Sequence, residues 1–267
     1  MSATAAYEEI LAGQRRRRIR GGAEVLVIMG IILAGGYYSG LFDYSRLAQG
    51  IPDLWDLMVE GMPPNFSNWK QWLRPLVDTL AMSIAGTALA VAFSVPLGFL
   101  AARNTSPHPV VYYVARAILN GLRAIPELIM GIIFVAAVGF GALPGVLALG
   151  LHSIGMVGKF FAESIELSDD KPVEAALAAG ASKMQVVWHA ILPQVLPQMA
   201  DVSLYRWEYN FRASTVLGAV GAGGIGFELI GALRVLRYDE VTALILLILV
   251  MVSLVDSIGS RLREGFK

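Results

Sequence analysis

The sequence predicts an all-α fold, a polytopic membrane bundle of about six transmembrane helices, and three observations predict it. Of its 267 residues 56% are hydrophobic and only 16% charged, where soluble domains carry about 25% charged residues. The mean hydropathy is +0.61. The apolar residues are gathered into runs of membrane-crossing length, about 20 residues each. The basic residues, in turn, are unevenly shared between alternate connections.

Composition also removes several classes of function. There is no cysteine, so disulfides, thiolate metal sites and cysteine nucleophiles are excluded. His108, His152 and His189 are scattered without metal-ligand spacing, and no Ser-His-Asp constellation has sequence support. A formal net charge of zero gives no electrostatic argument for nucleic acid.

In order, residues 1–22 form a basic N-terminus with Arg15 to Arg18 and Arg20, directly before an apolar stretch, residues 23–40. Positive-inside placement explains that run better than a nucleic-acid arm, and makes 23–40 the first span, entered from the cytoplasm. A cleaved signal peptide is disfavoured, because the polar stretch is long and no small-x-small site follows. Residues 41–74 carry Pro52, Pro63, Pro64, Trp55, Trp69 and Trp72, and read as a segment at the outer interface.

Residues 75–267 form the core. Pro75 to Ala102 is the second span, bent at Pro96. Val110 to Leu122 reads as an amphipathic helix at the inner interface, and the third span runs from Ala124-Ile125-Pro126-Glu127 to Gly139. Ala142-Leu143-Pro144 is a tight outer turn. Gly145 to Phe161 is the fourth span, with Gly145, Gly150, Ser153, Gly155 and Gly158 suited to close helix packing. Val195 to Leu217 and Val241 to Ile258 are the fifth and sixth. On this topology 14 of the 21 Lys and Arg lie inside and five outside, with Arg206 and Arg212 within the fifth span. Both termini are then cytoplasmic.

A polar island, residues 168–193, interrupts the spans. Pro172, with Asp169 and Asp170 before it, suits a helix start, and Gly180 a helix stop. Ser182 can cap a second helix reaching Leu192, where Pro193 forbids an easy continuation. Glu174-Ala175-Ala176, Gly180 and Leu192-Pro193 stand at the spacing of the EAA loop of bacterial ABC importer permeases, which this region resembles. One departure is Ala190, where that family usually has isoleucine; Ile191 is beside it. The resemblance implies a methionine-importer-like fold and a cytoplasmic loop that docks into a groove on a separate ATPase. Glu174 would supply polar contacts, Ala175 and Ala176 close approach, and Gly180, with Ala181 after it, the turn.

The fifth span is anomalous, since Asp201, Arg206, Glu208, Asn210, Arg212 and Ser214 lie in a spanning stretch. Ionisable groups there are costly and face the bundle interior or a watery path. One reading pairs Glu208 with Arg212 at i,i+4 and lets Arg206 snorkel to the membrane edge. The other makes the strip part of a translocation path with positive charge for an anionic substrate. Residues 205–215, Arg123 to Glu127 and His152 to Glu163 are similar to the phosphonate-importer branch of the family. The candidate path therefore comprises Arg206, Glu208, Asn210, Arg212, Ser214, Arg123 and Glu127. Arginine suits the oxygens of a compact phosphorus oxyanion by charge and fork geometry.

Two motifs mislead. Gly221-Ala-Gly223-Gly224-Ile-Gly226 matches G-x-G-x-x-G, but dinucleotide binding needs a preceding strand, and both flanks here are spans. The stretch is similar to one that follows the corresponding span in the permease family, which implies a helix break at an outer gate. Gly158-Lys159 is followed by Phe160 where a P-loop needs Ser or Thr. ATP and Mg are thus expected on a partner ATPase, with no cofactor in this chain.

The resemblance implies a homodimeric permease in the bacterial cytoplasmic membrane, joined by two ATPase subunits and an external substrate-binding protein. It would move a phosphonate, phosphate or phosphite by alternating access. The rivals are import of another solute such as methionine, a proton-driven transporter using Glu208 or Asp201, and a structural scaffold. The polar island counts against the last two.

Overall fold

The computed structural model describes residues 3–265, although the side chains of residues 3–12, 15, 16, 19 and 47 fall outside that description. All elements among the described residues are helical. The chain divides into two units, Met1–Glu60 and Gly61–Lys267.

In the first unit α1 spans Ala3–Tyr38 and α2 spans Tyr44–Glu60. The basic run is therefore helical and continuous with the first span, as Ala, Glu, Leu, Gln and Arg all favour helix. Arg20–Tyr38 is long and apolar enough to cross a membrane. On α2, Ile51, Leu54, Trp55 and Met58 share one face and are exposed, as an interfacial helix requires.

The second unit opens with α3 (Trp69–Ala101), which starts before the expected Pro75 and continues through Pro75 and Pro96. Then come α4 (Pro109–Ala124), with Pro109 in its first turn behind the cap of His108, and α5 (Glu127–Val138). These two meet at an angle of 85°. The cause is Pro126, which holds Ile125 extended at φ −88°, ψ 121° and cannot continue the helix. At 12 residues, α5 is about 18 Å long against a hydrocarbon core of about 30 Å. The expected third span is thus one arm of a broken one.

The chain then turns through Gly139 and Gly141, at φ +89° and +128°, and α6 runs Ala142–Glu166. Ala142-Leu143-Pro144, expected as the turn, is the first turn of this helix, where proline's missing donor is not needed. In the apolar window of α6 61% of residues are buried, against 33% in α3 and 17% in the last helix, so α6 is the axis of the unit. Its small residues let neighbours touch backbone. A Cβ on Gly155 would lie 2.7 Å from both the Leu119 carbonyl and the Arg123 amide of α4, and one on Gly98 of α3 would lie 2.8 Å from Phe161. In lipid, where no hydrophobic force drives helices together, such contact supplies the packing energy.

After α6 come α7 (Asp170–Ala178), α8 (Lys183–Val186), a π-helical turn Val187–Ile191 and α9 (Leu192–Leu217). Asp169 caps α7, and Ser182 with Gln185 forms a capping box on α8. Gly180 turns between them at φ +83°. The second helix of the island does not stop at Pro193: the wide π turn carries the chain past it, and the proline falls in the first turn of α9. A 3-10 turn, Gly218–Val220, leads to α10 (Ile225–Arg234), a helix the apolar pattern did not reveal, and α11 (Tyr238–Glu264) completes the unit. Between the middle of α4 and the C-terminal end of α6, Arg116 Nη2 donates to both oxygens of Glu166, each at 2.9 Å. Its Nε donates to the carbonyl of Ala101 on α3.

The Gly155 contact is testable. Gly155→Leu should separate α4 from α6 and cost on the order of 1–3 kcal/mol as overpacking, read as a lower unfolding temperature of the purified protein. Gly231→Leu, where nothing lies within 4 Å, should leave it unchanged.

Candidate functional site

The polar residues of α9 separate into two faces. Arg206, Asn210 and Ser214 recur every fourth residue, so they share one face, and all three are buried. They meet α3 and α6 in a directed chain of hydrogen bonds. Arg206 Nε donates to Ser153 Oγ at 2.8 Å, and Ser153 Oγ donates to Asn210 Oδ1 at 3.1 Å. Asn210 Nδ2 donates to Thr87 Oγ1 at 2.9 Å, and Thr87 ends the chain on the Ser83 carbonyl at 2.7 Å. Ser214 donates to the carbonyl of Phe211 within its own helix. Arg206 therefore does not reach for the membrane edge; Ser153 holds it inside.

The rest of the guanidinium faces Glu127, the first residue of α5. Arg206 Nη2 lies 3.8 Å from Glu127 Oε2, and His152 Nε2 lies 3.9 Å from the same oxygen. Tyr209 donates its hydroxyl to Glu127 Oε1 at 3.1 Å, and the Arg206 guanidinium sits 4.2 Å from the centre of the Tyr209 ring. The ring is well placed for a cation–π contact. His152 Nδ1 is 3.0 Å from the Ile125 carbonyl. That nitrogen carries a hydrogen, because a carbonyl only accepts.

On the other face of α9, Glu208 pairs with Arg263 of α11 at 2.9 and 3.1 Å. The expected Glu208–Arg212 ion pair does not form. Arg212 Nε donates to the Glu208 backbone carbonyl, and its Nη2 lies 3.6 Å from Asp256 of α11. The closeness of α11 is the reason: the Glu208 carboxylate rests on Gly259, where any side chain would collide with it. Asp201 adds a longer contact to Arg263 at 3.9 Å. Arg123 is exposed in the last turn of α4 and is not part of either cluster.

The remaining candidates lie elsewhere. Glu174, Ala175 and Gly180 are exposed on the 168–193 loop, while Ala176 and Ala181 pack half-buried against the core that holds Leu119 and Phe161. Asp170, Val173, Leu177, Lys183, Met184 and Trp188 of this region join Pro96, Phe99 and Leu100 of α3 around a groove of about 770 Å³. In the glycine stretch, Gly221, Gly223 and Gly224 have φ of +95°, +77° and +76°, and Gly226 lies against the Thr215 carbonyl with no room for a side chain. Thr79 Oγ1 accepts from the Ile225 amide at 2.8 Å and pins that turn to α3.

Residues 94–266 match the family described as binding-protein-dependent transport system inner membrane component. The chain belongs to this family. The permease is 65% identical over 244 residues to the phosphite transport system permease protein of Stutzerimonas stutzeri, covering 91% of this chain and 89% of that one. It is 44% identical over 220 residues to the phosphate-import permease protein of Mycolicibacterium smegmatis, covering 82% of this chain and 41% of the relative. Its fold is similar to that of the MetNI methionine ABC transporter in an inward-facing state, with a TM-score of 0.64, 23% identity, and coverage of 73% of this chain and 96% of that one.

Of the candidate path, then, the structure joins Arg206, Asn210 and Glu127 in one cluster and assigns Glu208 and Arg212 to another. Sequence reasoning missed Thr87, Ser153, His152, Tyr209, Asp256 and Arg263 as partners. A signal existed for Thr87, because Thr79, Ser83 and Thr87 recur every fourth residue in an otherwise apolar helix. None existed for Arg263, which reads as one more positive-inside charge.

Breaking the buried Glu208 pair should be expensive. Arg263→Met strands the Glu208 carboxylate and should cost about 3 kcal/mol, measured as a fall in unfolding temperature of the purified permease. The double variant with Glu208→Gln should recover most of that loss.

Proposed function

We propose that the permease imports small phosphorus oxyanions, phosphite foremost, as a homodimer with two ATPase subunits and an external binding protein. The observation that carries this is the 65% identity, over nine-tenths of both chains, to a phosphite permease. The guanidinium of Arg206, held inside the bundle by a side-chain chain of hydrogen bonds, is chemistry that suits such a substrate. The membrane supplies no counter-ion, so a positive charge at that depth lowers the barrier for an anion.

In this reading both termini and the 168–193 loop are cytoplasmic, as the distribution of basic residues favours. ATP and Mg bind the ATPase subunits. Closure of the ATPase pair draws the two loops together and opens the bundle outward to take substrate from the binding protein. Exposed Glu174 and Ala175 meet the ATPase groove, and Gly180 sets the angle between α7 and α8.

The decisive measurement is ATPase activity and uptake in liposomes containing the permease, its ATPase and its binding protein. Phosphite should stimulate both strongly, with phosphate or a phosphonate next, and methionine should do nothing. Stimulation by methionine alone would remove the substrate assignment and keep the permease. Uptake abolished by an uncoupler at constant ATP would remove the ATP-driven mechanism.

Gly180→Val tests the loop. A β-branched residue is strained at φ +83°, so substrate-stimulated ATPase activity should fall at least about tenfold, the equivalent of about 1.4 kcal/mol in coupling. Membrane insertion should be retained, because nothing lies within 4 Å of that position. Wild-type uptake in this variant would defeat the coupling role.

A further inference from the structure

We infer that Glu127 is a resident stand-in for the transported oxyanion: its carboxylate occupies the Arg206 guanidinium and is displaced when a phosphorus oxyanion binds there. The inference rests on the proposed substrate class and adds a residue, a site and a direction of exchange to it.

The argument begins with a contrast inside the chain. Arg116 Nη2 reaches both oxygens of Glu166 at 2.9 Å, and Arg263 meets Glu208 through two nitrogens at 2.9 and 3.1 Å. Arg206 and Glu127 remain 3.8 Å apart. Neither Arg206 Nη2 nor Glu127 Oε2 has a hydrogen-bond partner, although both atoms are buried. The Arg206 side chain is only 4% exposed. A buried ion pair offsets its desolvation only with good geometry and satisfied hydrogen bonds. The first two pairs meet at hydrogen-bonding distance and hold helices together, although Glu208 Oε1 too has no hydrogen-bond partner. The third does not, and its free donor points at an anion that is not fully seated.

The two partners are also mounted differently. Arg206 is fixed through Ser153, Asn210 and Thr87 to α6 and α3, so it belongs to the packed centre. Glu127 heads α5 directly after Pro126, at the 85° break with α4. It is 21% exposed, and Tyr209 holds its other oxygen back at 3.1 Å. His152 Nε2 faces the same carboxylate oxygen at 3.9 Å. The fixed cation, the imidazole edge and the tethered carboxylate therefore converge on one point.

A tetrahedral oxyanion can offer two oxygens to the free edge of the guanidinium, which a carboxylate restrained by Tyr209 does not. Two anions cannot share that point, because like charges at contact distance repel strongly in a low-dielectric site. Entry of the substrate drives Glu127 aside, and its return helps expel the substrate. The exchange keeps Arg206 from becoming a trap.

The test is equilibrium binding of radiolabelled phosphite to the permease–ATPase complex in lipid nanodiscs, beside uptake in proteoliposomes with the binding protein. Glu127→Gln removes the competing charge; binding should tighten about tenfold or more and uptake should slow by a similar factor. Tyr209→Phe frees the carboxylate to close on Arg206, so binding should weaken, the opposite sign. Arg206→Gln should bind no phosphite. A merely structural Glu127 would give losses in the same direction for Glu127→Gln and Tyr209→Phe, and that result overturns the inference. So does unchanged binding and uptake in Glu127→Gln while the wild type transports phosphite, an outcome that leaves the proposed function standing. A wild type that transports another solute and no phosphorus oxyanion brings down both.

Discussion

The second unit depends on one line of polar contacts: Arg206 to Ser153, to Asn210, to Thr87, to the Ser83 carbonyl. Each group donates to the next, and the line ends on an acceptor that needs nothing more. In an apolar interior an unpartnered amide or hydroxyl costs several kcal/mol. The rotation of α9 about its own axis is therefore restricted to the setting that completes the series. Three helices are held in register by groups too short to reach anywhere else. The glycines of α6 let α3 and α4 approach it closely, while its small Ser153 faces α9.

The same helix carries a second set of charges that does different work. Glu208 and Arg263 form a close fork over Gly259, and Arg212 and Asp256 lie nearby. This interface between α9 and α11 is close, with Arg263 donating to Glu208 Oε2 at 3.1 Å, although Glu208 Oε1 and Asp256 Oδ1 are buried without a hydrogen-bond partner. The Arg206 face keeps a donor free. A helix can thus be held on one side by close ion pairs while its other side leaves a guanidinium nitrogen without a partner. Turn-by-turn spacing decides which residue does which: positions 206, 210 and 214 share one stripe, and 208 and 212 another.

Much of this was legible in the sequence. Apolar run lengths located most of the long helices, and the end of α9 at Leu217 was read correctly. Pro172, Gly180 and Ser182 marked the start, stop and restart of the polar island as the structure has them. What escaped was relational. The broken third span looked continuous because apolarity continues across Ile125-Pro126, and only the 85° bend there shows that α5 ends at 12 residues, too short to cross alone. The i,i+4 spacing suggested Glu208 with Arg212, since a single helix is all that local spacing describes. Their real partners lie on α11, some 50 residues away in the chain. Arg123 entered the candidate path because Arg123 to Glu127 resembles the phosphonate-importer branch, yet the break at Pro126 separates their surroundings.

The π turn at Val187–Ile191 joins the polar island directly to α9. A π turn amounts to one residue inserted into an α-helix, and one residue corresponds to about 100° of rotation. Removing a residue there would leave the composition of α9 untouched and turn its stripes by more than a quarter circle, taking Arg206 off Ser153 and Glu208 off Gly259. The number of residues between Gly180 and Arg206 is thus a phase as well as a length. An insertion or deletion in the segment would have to be matched by a compensating one before Arg206 to keep both stripes on their partners.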